Sequence, residues 1–367
     1  MRITSITSLA AGLSLICLSC TSTQANKQSS LSEQALETSK DFPSVDLDTS
    51  LEQEVKLVGA EGNKLAGTLT LPAESSGPFN LIILHPGSGP VNRNSRIQKH
   101  QPFVPLADHL SKQGLAVFRY DKRGVGLSEG DLAQTTTKDL AKDLAAVYTQ
   151  LAGHSLFKGQ KIGYLGHSEG ASAATLAIKE TPAAFFIGLA GPALRGADIL
   201  ALQSKYLIPE GPRKASALAA NRKLYAMLAS DESAESVKKH IGTTLSTERY
   251  QLTPEQIDST YNNLTSPWFS TFLKRDPLST YCSLSIPSLL LYGAKDLQVP
   301  QEENTTALKT CDWSSVDVSV NTVENANHLF QSAETGHPRE YNKLQESMSQ
   351  PVLAQITAWL EDQDLVD

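Results

Sequence analysis

Three observations predict an α/β fold with a mostly parallel central sheet. Short, continuous apolar runs recur along the chain, patterns with helical spacing separate them, and residues 192–280 interrupt the alternation with helices alone. Apolar runs of this length mark strands buried on both faces, as parallel strands are. Their regular exchange with helices places a sheet at the centre and helices on its faces.

The elements follow in order. EQEVKLVG and KLAGTLTLP alternate apolar and polar residues around the turn-prone A-E-G-N, which predicts a β-hairpin opening near residue 51. Buried strands are predicted at FNLIILHP (79–86), GLAVFRYD (114–121), QKIGYLG (160–166) and AAFFIGLAG (183–191). Between them FVPLADHLSKQ, TKDLAKDLAAVYTQLAG and EGASAATLAIKE carry apolar residues at helical spacing. IPSLLLYG (286–293) and SSVDVSVNTV (314–323) supply two further strands, and PVLAQITAWLEDQ a last amphipathic helix. The interruption holds GADILALQSKYL, KASALAANRKLYAMLA, SAESVKKHIG and TPEQIDSTYNNL, so 192–280 is predicted to be a helical cap between 51–191 and 281–367, the two parts of the core.

The N-terminal MRITSITSLAAGLSLICLSC has a basic residue, an apolar run too short to span a bilayer and small residues ending at Cys20. It predicts export: residues 1–19 as a signal peptide and Cys20 as a lipidated first residue, with ordinary secretion as the alternative. Residues 20–50 are polar and rich in Ser and Thr, which predicts a flexible tether of roughly 30 Å. A lipid on Cys20 would leave Cys282 and Cys311 as one pair in an oxidising compartment, and a disulfide between them is expected. With 40% hydrophobic residues, the chain can bury a proper core. A net charge of −7 without a basic run argues against nucleic acid as a partner. The eight histidines show no metal-ligand spacing, and no metal or organic cofactor is implied.

The chemistry is expected at GHSEG (166–170), a G-x-S-x-G string between a predicted strand and a predicted helix. A serine on so sharp a turn projects its hydroxyl above the sheet, where it can act as a nucleophile. Ser168 then needs a base and an acid from later strand ends. His328 in ENANHLF follows the last strand and is preferred to His337. Asp296 in YGAKDLQVP follows the preceding strand and is preferred to Asp312 and Asp317. Two backbone N–H groups would stabilise an oxyanion: that of Glu169, after the nucleophile, and that of Ser88 in HPGSGP, with Gly87 next. The side chain of Glu169 is expected to lie exposed at the helix start.

Together HPGSGPVNR (85–93), YDKRGVGLS (120–128), GHSEG, SPWF (266–269), YGAKDLQVP (292–300) and NHLFQ (327–331) make the chain resemble the α/β hydrolases. Within that fold it is similar to bacterial esterases and acyl-peptidase-like hydrolases. The resemblance spans roughly residues 50–365 and implies Ser168, Asp296 and His328 as a triad. It implies hydrolysis of a small-molecule carboxylic ester. Asp121 and Arg123 are expected to form an ion pair beside the site, and His85 and His167 to pack or orient loops. Trp268 and Phe269 would either line the acyl pocket or anchor the cap. A serine peptidase and a catalytically silent binding protein on the same fold are the alternatives. Contact with a membrane is expected only through the lipid on Cys20.

Overall fold

Eight strands form one sheet in the order β1-β2-β4-β3-β5-β6-β7-β8. They are β1 (Glu52–Val58), β2 (Lys64–Thr70), β3 (Leu81–His85), β4 (Ala116–Tyr120), β5 (Ile162–His167), β6 (Phe186–Leu189), β7 (Ser288–Gly293) and β8 (Val318–Val323). The computed structural model describes residues 52–73, 77–230, 232–246 and 251–366. The expected signal peptide 1–19, Cys20 and the tether 20–50 lie outside the described residues.

The opening hairpin is antiparallel, and β2 joins the sheet antiparallel to β4. From β4 onward every pairing is parallel. The residues of β3 to β7 are buried throughout, which is why they read as unbroken apolar runs. The edge strand β8 is only partly covered and correspondingly mixed in sequence. Helices α1 (Phe103–Lys112), α2 (Thr137–Ala152) and α3 (Glu169–Ala177) fill the crossovers between β3 and β6. The chain runs from β3 to β4 on one side and returns to β5 on the other. The carboxyl ends of β3 and β5 therefore flank the topological switch point, where ligands of such sheets bind.

The interruption consists of α4 (Gly196–Leu207), α5 (Lys214–Ala229), α6 (Ala234–Leu245), α7 (Pro254–Leu264) and α8 (Pro267–Lys274). These helices enclose a hydrophobic cluster of their own, with Leu200, Leu224, Tyr225, Ile241, Phe269 and Leu273 at its centre. Phe272 packs against both this cluster and the main core. A short α9 (Leu278–Cys282) returns the chain to β7, and α10 (Gln301–Leu308) and α11 (Gln350–Asp362) complete the fold.

α10 is absent from the sequence reading. QEENTTAL is polar, and only Asn304, Thr305 and Leu308 are buried, so its packing face leaves little apolar periodicity. Cys282 and Cys311 form a disulfide with their Cα atoms 4.7 Å apart. Among the described residues no helix is long and apolar enough to cross a membrane.

Candidate active site

Ser168 stands between the end of β5 and the start of α3 with φ 55° and ψ −120°. This left-handed conformation is strained for a side-chain-bearing residue and marks a functional turn. The surrounding chain enforces it. The Ser168 N–H donates to the Leu189 carbonyl at 2.8 Å. A Cβ on Gly170 would lie 2.1 Å from the His85 carbonyl, and one on Gly166 would lie 2.3 Å from the Ala171 nitrogen. Only glycine fits at either position, so the two outer residues of the motif are dictated by close packing against the end of β3 and the first turn of α3.

Asp296 and His328 meet from the ends of β7 and β8. The His328 Nδ1 lies 2.7 Å from Asp296 Oδ2. Asp296 Oδ1 accepts the N–H groups of Gln298 and Val299 at 2.7 and 2.9 Å, which locks the carboxylate in place. Held in this way, the neutral imidazole carries its proton on Nδ1 and presents Nε2 as a base. A Cβ on Gly293 would meet the Ala326 carbonyl at 2.3 Å, so glycine lets the histidine loop lie close on β7. The loop is shaped by the buried Asn327, whose Oδ1 accepts the N–H groups of Leu329 and Gln331.

His167 joins this pair to the turn. Its Nε2–H donates to the His328 carbonyl at 2.8 Å, and the two imidazoles lie 4.8 Å apart. Burial, helped by the nearby His328, lowers the His167 pKa to about 3, so the ring is a neutral donor at ordinary pH. His85 is also pushed down to about 3, by burial and then by the charge of Lys122, and lies 2.9 Å from the Tyr120 hydroxyl. Both histidines orient loops. Ser168 itself is half-buried.

The loop after β3 packs against Ser168, since a Cβ on Gly87 would lie 3.2 Å from Ser168 Cβ. The expected donor Ser88 is on this loop, half-exposed. The Glu169 N–H belongs to the first residue of α3, where no helical carbonyl can reach it. The Glu169 side chain departs from expectation: it is buried, not exposed. Its Oε1 accepts Thr137 Oγ1–H and Trp268 Nε1–H, both at 2.6 Å. Trp268 is thereby an anchor between α8 and α3, stacked on Phe272 at 5.2 Å. Phe269 is 3% exposed and packs inside the cap cluster.

The expected ion pair between Asp121 and Arg123 does not form. Neighbours on a tight turn diverge: Asp121 accepts from Arg93 at 2.9 Å, while Arg123 forks onto Asp143 at 2.6 and 2.7 Å. The Arg93–Asp121 pair ties the loop after β3 to the turn after β4. Between Asp121 and Arg123 stands Lys122, for which the sequence predicts no role. It is 1% exposed, and its Nζ donates to the Gly87 and Gly89 carbonyls at 2.5 and 2.7 Å. The rejected candidates lie elsewhere. Asp312 and Asp317 are exposed, and His337 caps a short 3₁₀ turn by accepting from the Arg339 N–H.

Comparison with known proteins agrees with this architecture. The family model described as serine aminopeptidase, S33, matches residues 96–334, more than half of the chain. Esterase EstD of Thermotoga maritima is 26% identical over 334 residues, covering 89% of this chain and 72% of that protein. Among solved structures, an esterase of Pyrococcus furiosus superposes with a TM-score of 0.52 at 17% identity, covering 89% and 96% of the two chains. The α/β hydrolase GrgF of a Penicillium species does so with a TM-score of 0.52 at 14% identity, covering 85% and 98%. The chain belongs to the serine aminopeptidase S33 family and is an α/β hydrolase.

Proposed function

We propose that this hydrolase, of the carboxylesterase type, cleaves esters of short-to-medium acyl chains through an acyl-enzyme on Ser168. His328 takes the serine proton as the hydroxyl attacks the ester carbonyl, and later returns it to the leaving alcohol. Asp296 keeps the imidazole in the required tautomer and stabilises its charged form. The N–H groups of Ser88 and Glu169 receive the negative charge that develops on the carbonyl oxygen. Water then repeats the attack on the acyl-enzyme.

The observation that carries this reading is the strained Ser168 turn with the Asp296–His328 bond docked on it through His167. The name of the Thermotoga relative favours esters, whereas the family description favours peptides from their N-termini. An aminopeptidase needs a carboxylate to hold the substrate ammonium. The acidic group next to Ser168, Glu169, is buried, and its Oε1 is held by Thr137 and Trp268, which supports the ester reading. A panel of p-nitrophenyl esters of increasing chain length, run beside aminoacyl p-nitroanilides, tests it. Esters should be the faster substrates, and a fluorophosphonate should label Ser168. Anilide turnover that exceeds ester turnover would reverse the assignment.

Export on a lipid anchor belongs to the same proposal. Mass spectrometry of the mature protein should find residues 1–19 absent and acyl mass on Cys20, and a free Cys20 thiol would favour ordinary secretion.

A further inference from the structure

We propose that Lys122 is a positioning residue for the oxyanion donor, resting on the ester-hydrolase reading of Ser168. The Gly87 carbonyl and the Ser88 N–H belong to one peptide unit, which is planar and trans, so they point in opposite directions. Lys122 draws the Gly87 carbonyl inward at 2.5 Å and the Gly89 carbonyl at 2.7 Å. The Ser88 N–H is thereby turned away from the ammonium and left for the substrate. Without that hold, the peptide flips more readily, because the Gly87 side of it carries no Cβ to fix its orientation. A flipped peptide would offer a carbonyl oxygen, and not an N–H, to the developing anion.

The ammonium also acts through the bond it makes. A charge-assisted hydrogen bond to the carbonyl polarises the peptide and strengthens the N–H on its far side. The neighbouring contacts hold Lys122 itself in place. Asp121, before it, accepts both the Arg93 N–H at 2.8 Å and the Arg93 guanidinium, so the turn and the loop after β3 are joined twice. The charge of Lys122 reaches His85 at the base of the same loop, where it adds to the lowering caused by burial. Lys122 touches no reacting atom in this scheme.

The test compares Lys122→Met and Lys122→Gln with the native enzyme on p-nitrophenyl acetate. Losing the effect of one oxyanion donor costs about 10²-fold in kcat. Lys122→Met is expected to lower kcat by about that factor with KM held within about threefold. A boronic acid, which forms a tetrahedral anion on the serine, should lose affinity by a similar factor. Lys122→Gln keeps an N–H donor for the carbonyl and should recover roughly tenfold of the lost rate. A folded Lys122→Met enzyme with native kcat and boronate affinity overturns the proposal, as does a loss confined to KM. If the Met variant does not fold, Lys122→Gln decides alone. A reduced kcat at native KM supports the proposal, and an unchanged kcat overturns it. Failure of the underlying reading looks different, since Ser168→Ala would then retain ester turnover. A silent Ser168→Ala beside a fully active Lys122→Met would reject Lys122 alone.

Discussion

The sheet-based core buries both partners of two ion pairs, Arg93–Asp121 and Arg123–Asp143, whereas the ion pairs within the cap sit at the surface. The side chains of Arg93 and Asp121 are 9% and 4% exposed, those of Lys238 and Asp258 in the cap 36% and 57%. A buried pair must keep its geometry, because losing one partner strands a charge away from water. A surface pair contributes little and constrains little. The core accordingly holds the Ser168 turn, the Asp296–His328 pair and the Lys122-bound loop rigid, each from a different strand end. The cap has a small cluster of its own and reaches the core through Phe272 and a few polar ties such as Trp268 to Glu169. Chemistry should therefore fail in the core and selectivity should shift in the cap.

The largest effect should come from Ser168→Ala, which removes the proposed nucleophile and should cut ester turnover by about 10⁴-fold or more while leaving the fold intact. A folded variant with most of its activity would falsify the division at its centre. Asp296→Asn should come next, with kcat down by roughly 10³- to 10⁴-fold and KM little moved, because the amide holds His328 in the wrong tautomer. The same change at Asp312 or Asp317 should leave kcat near native. An effect there, and none at Asp296, would move the acid to the other strand end.

Much of this core was legible in the sequence because burial on both faces forces apolar runs, and because the Ser, Asp and His positions follow strand ends in chain order. What escaped depends on partners remote in sequence. Glu169 reads as an exposed helix start until Trp268, 99 residues away, is seen to donate to it. Lys122 bonds to main-chain carbonyls, which no residue type announces. Asp121 and Arg123 look like a pair because they are close in sequence, but the turn sends them to Arg93 and Asp143. α8 lies across SPWF, where the sequence offered two aromatics and no means of telling pocket from anchor.

Stability should separate the two regions as well. The Cys282–Cys311 disulfide joins the segments preceding β7 and β8, at the edge of the sheet opposite the strand ends that carry Ser168, Asp296 and His328. For a separation of 29 residues, its loss should cost about 3.5 kcal/mol on the chain-entropy model. Paired Cys→Ser variants should lower the free energy of unfolding by that amount in denaturant titrations. Ester kcat at 25 °C should remain close to native, and a collapse of kcat would show that the staple positions the site.

Acid should also act on the core. His85 and His167 have pKa values of about 3 in the folded protein against 6.5 in the unfolded chain. Below pH 6.5 the unfolded state therefore binds protons that the folded state refuses until about pH 3. Their contribution to stability is full above pH 6.5 and is lost as pH falls toward 3. Two such groups give a slope of up to about 3 kcal/mol per pH unit within that window. Denaturant midpoints measured between pH 7 and 4.5 should follow it, and His167→Gln should flatten the slope by about one proton. An unaltered slope would place the acid sensitivity elsewhere.

The smallest effect tests the cap directly. Trp268→Phe keeps the ring stacked on Phe272 but removes the Nε1–H that Glu169 accepts. One donor is lost to a buried carboxylate that retains Thr137, a cost of about 1–3 kcal/mol borne by the junction of α8 with α3. If the cap governs which acyl chains enter, that loosening should change relative kcat/KM between a short and a medium chain by about tenfold, comparable to a methylene in an apolar pocket. The change should reside mainly in KM, because the hydrogen bonds of the Ser168 N–H, of His328 to Asp296 and of Lys122 to the loop after β3 run to core residues. A uniform fall in kcat across all chain lengths would mean that the Trp268–Glu169 bond steadies the oxyanion amide, and that the nucleophile helix depends on the cap. An unchanged profile would reduce the cap to a scaffold.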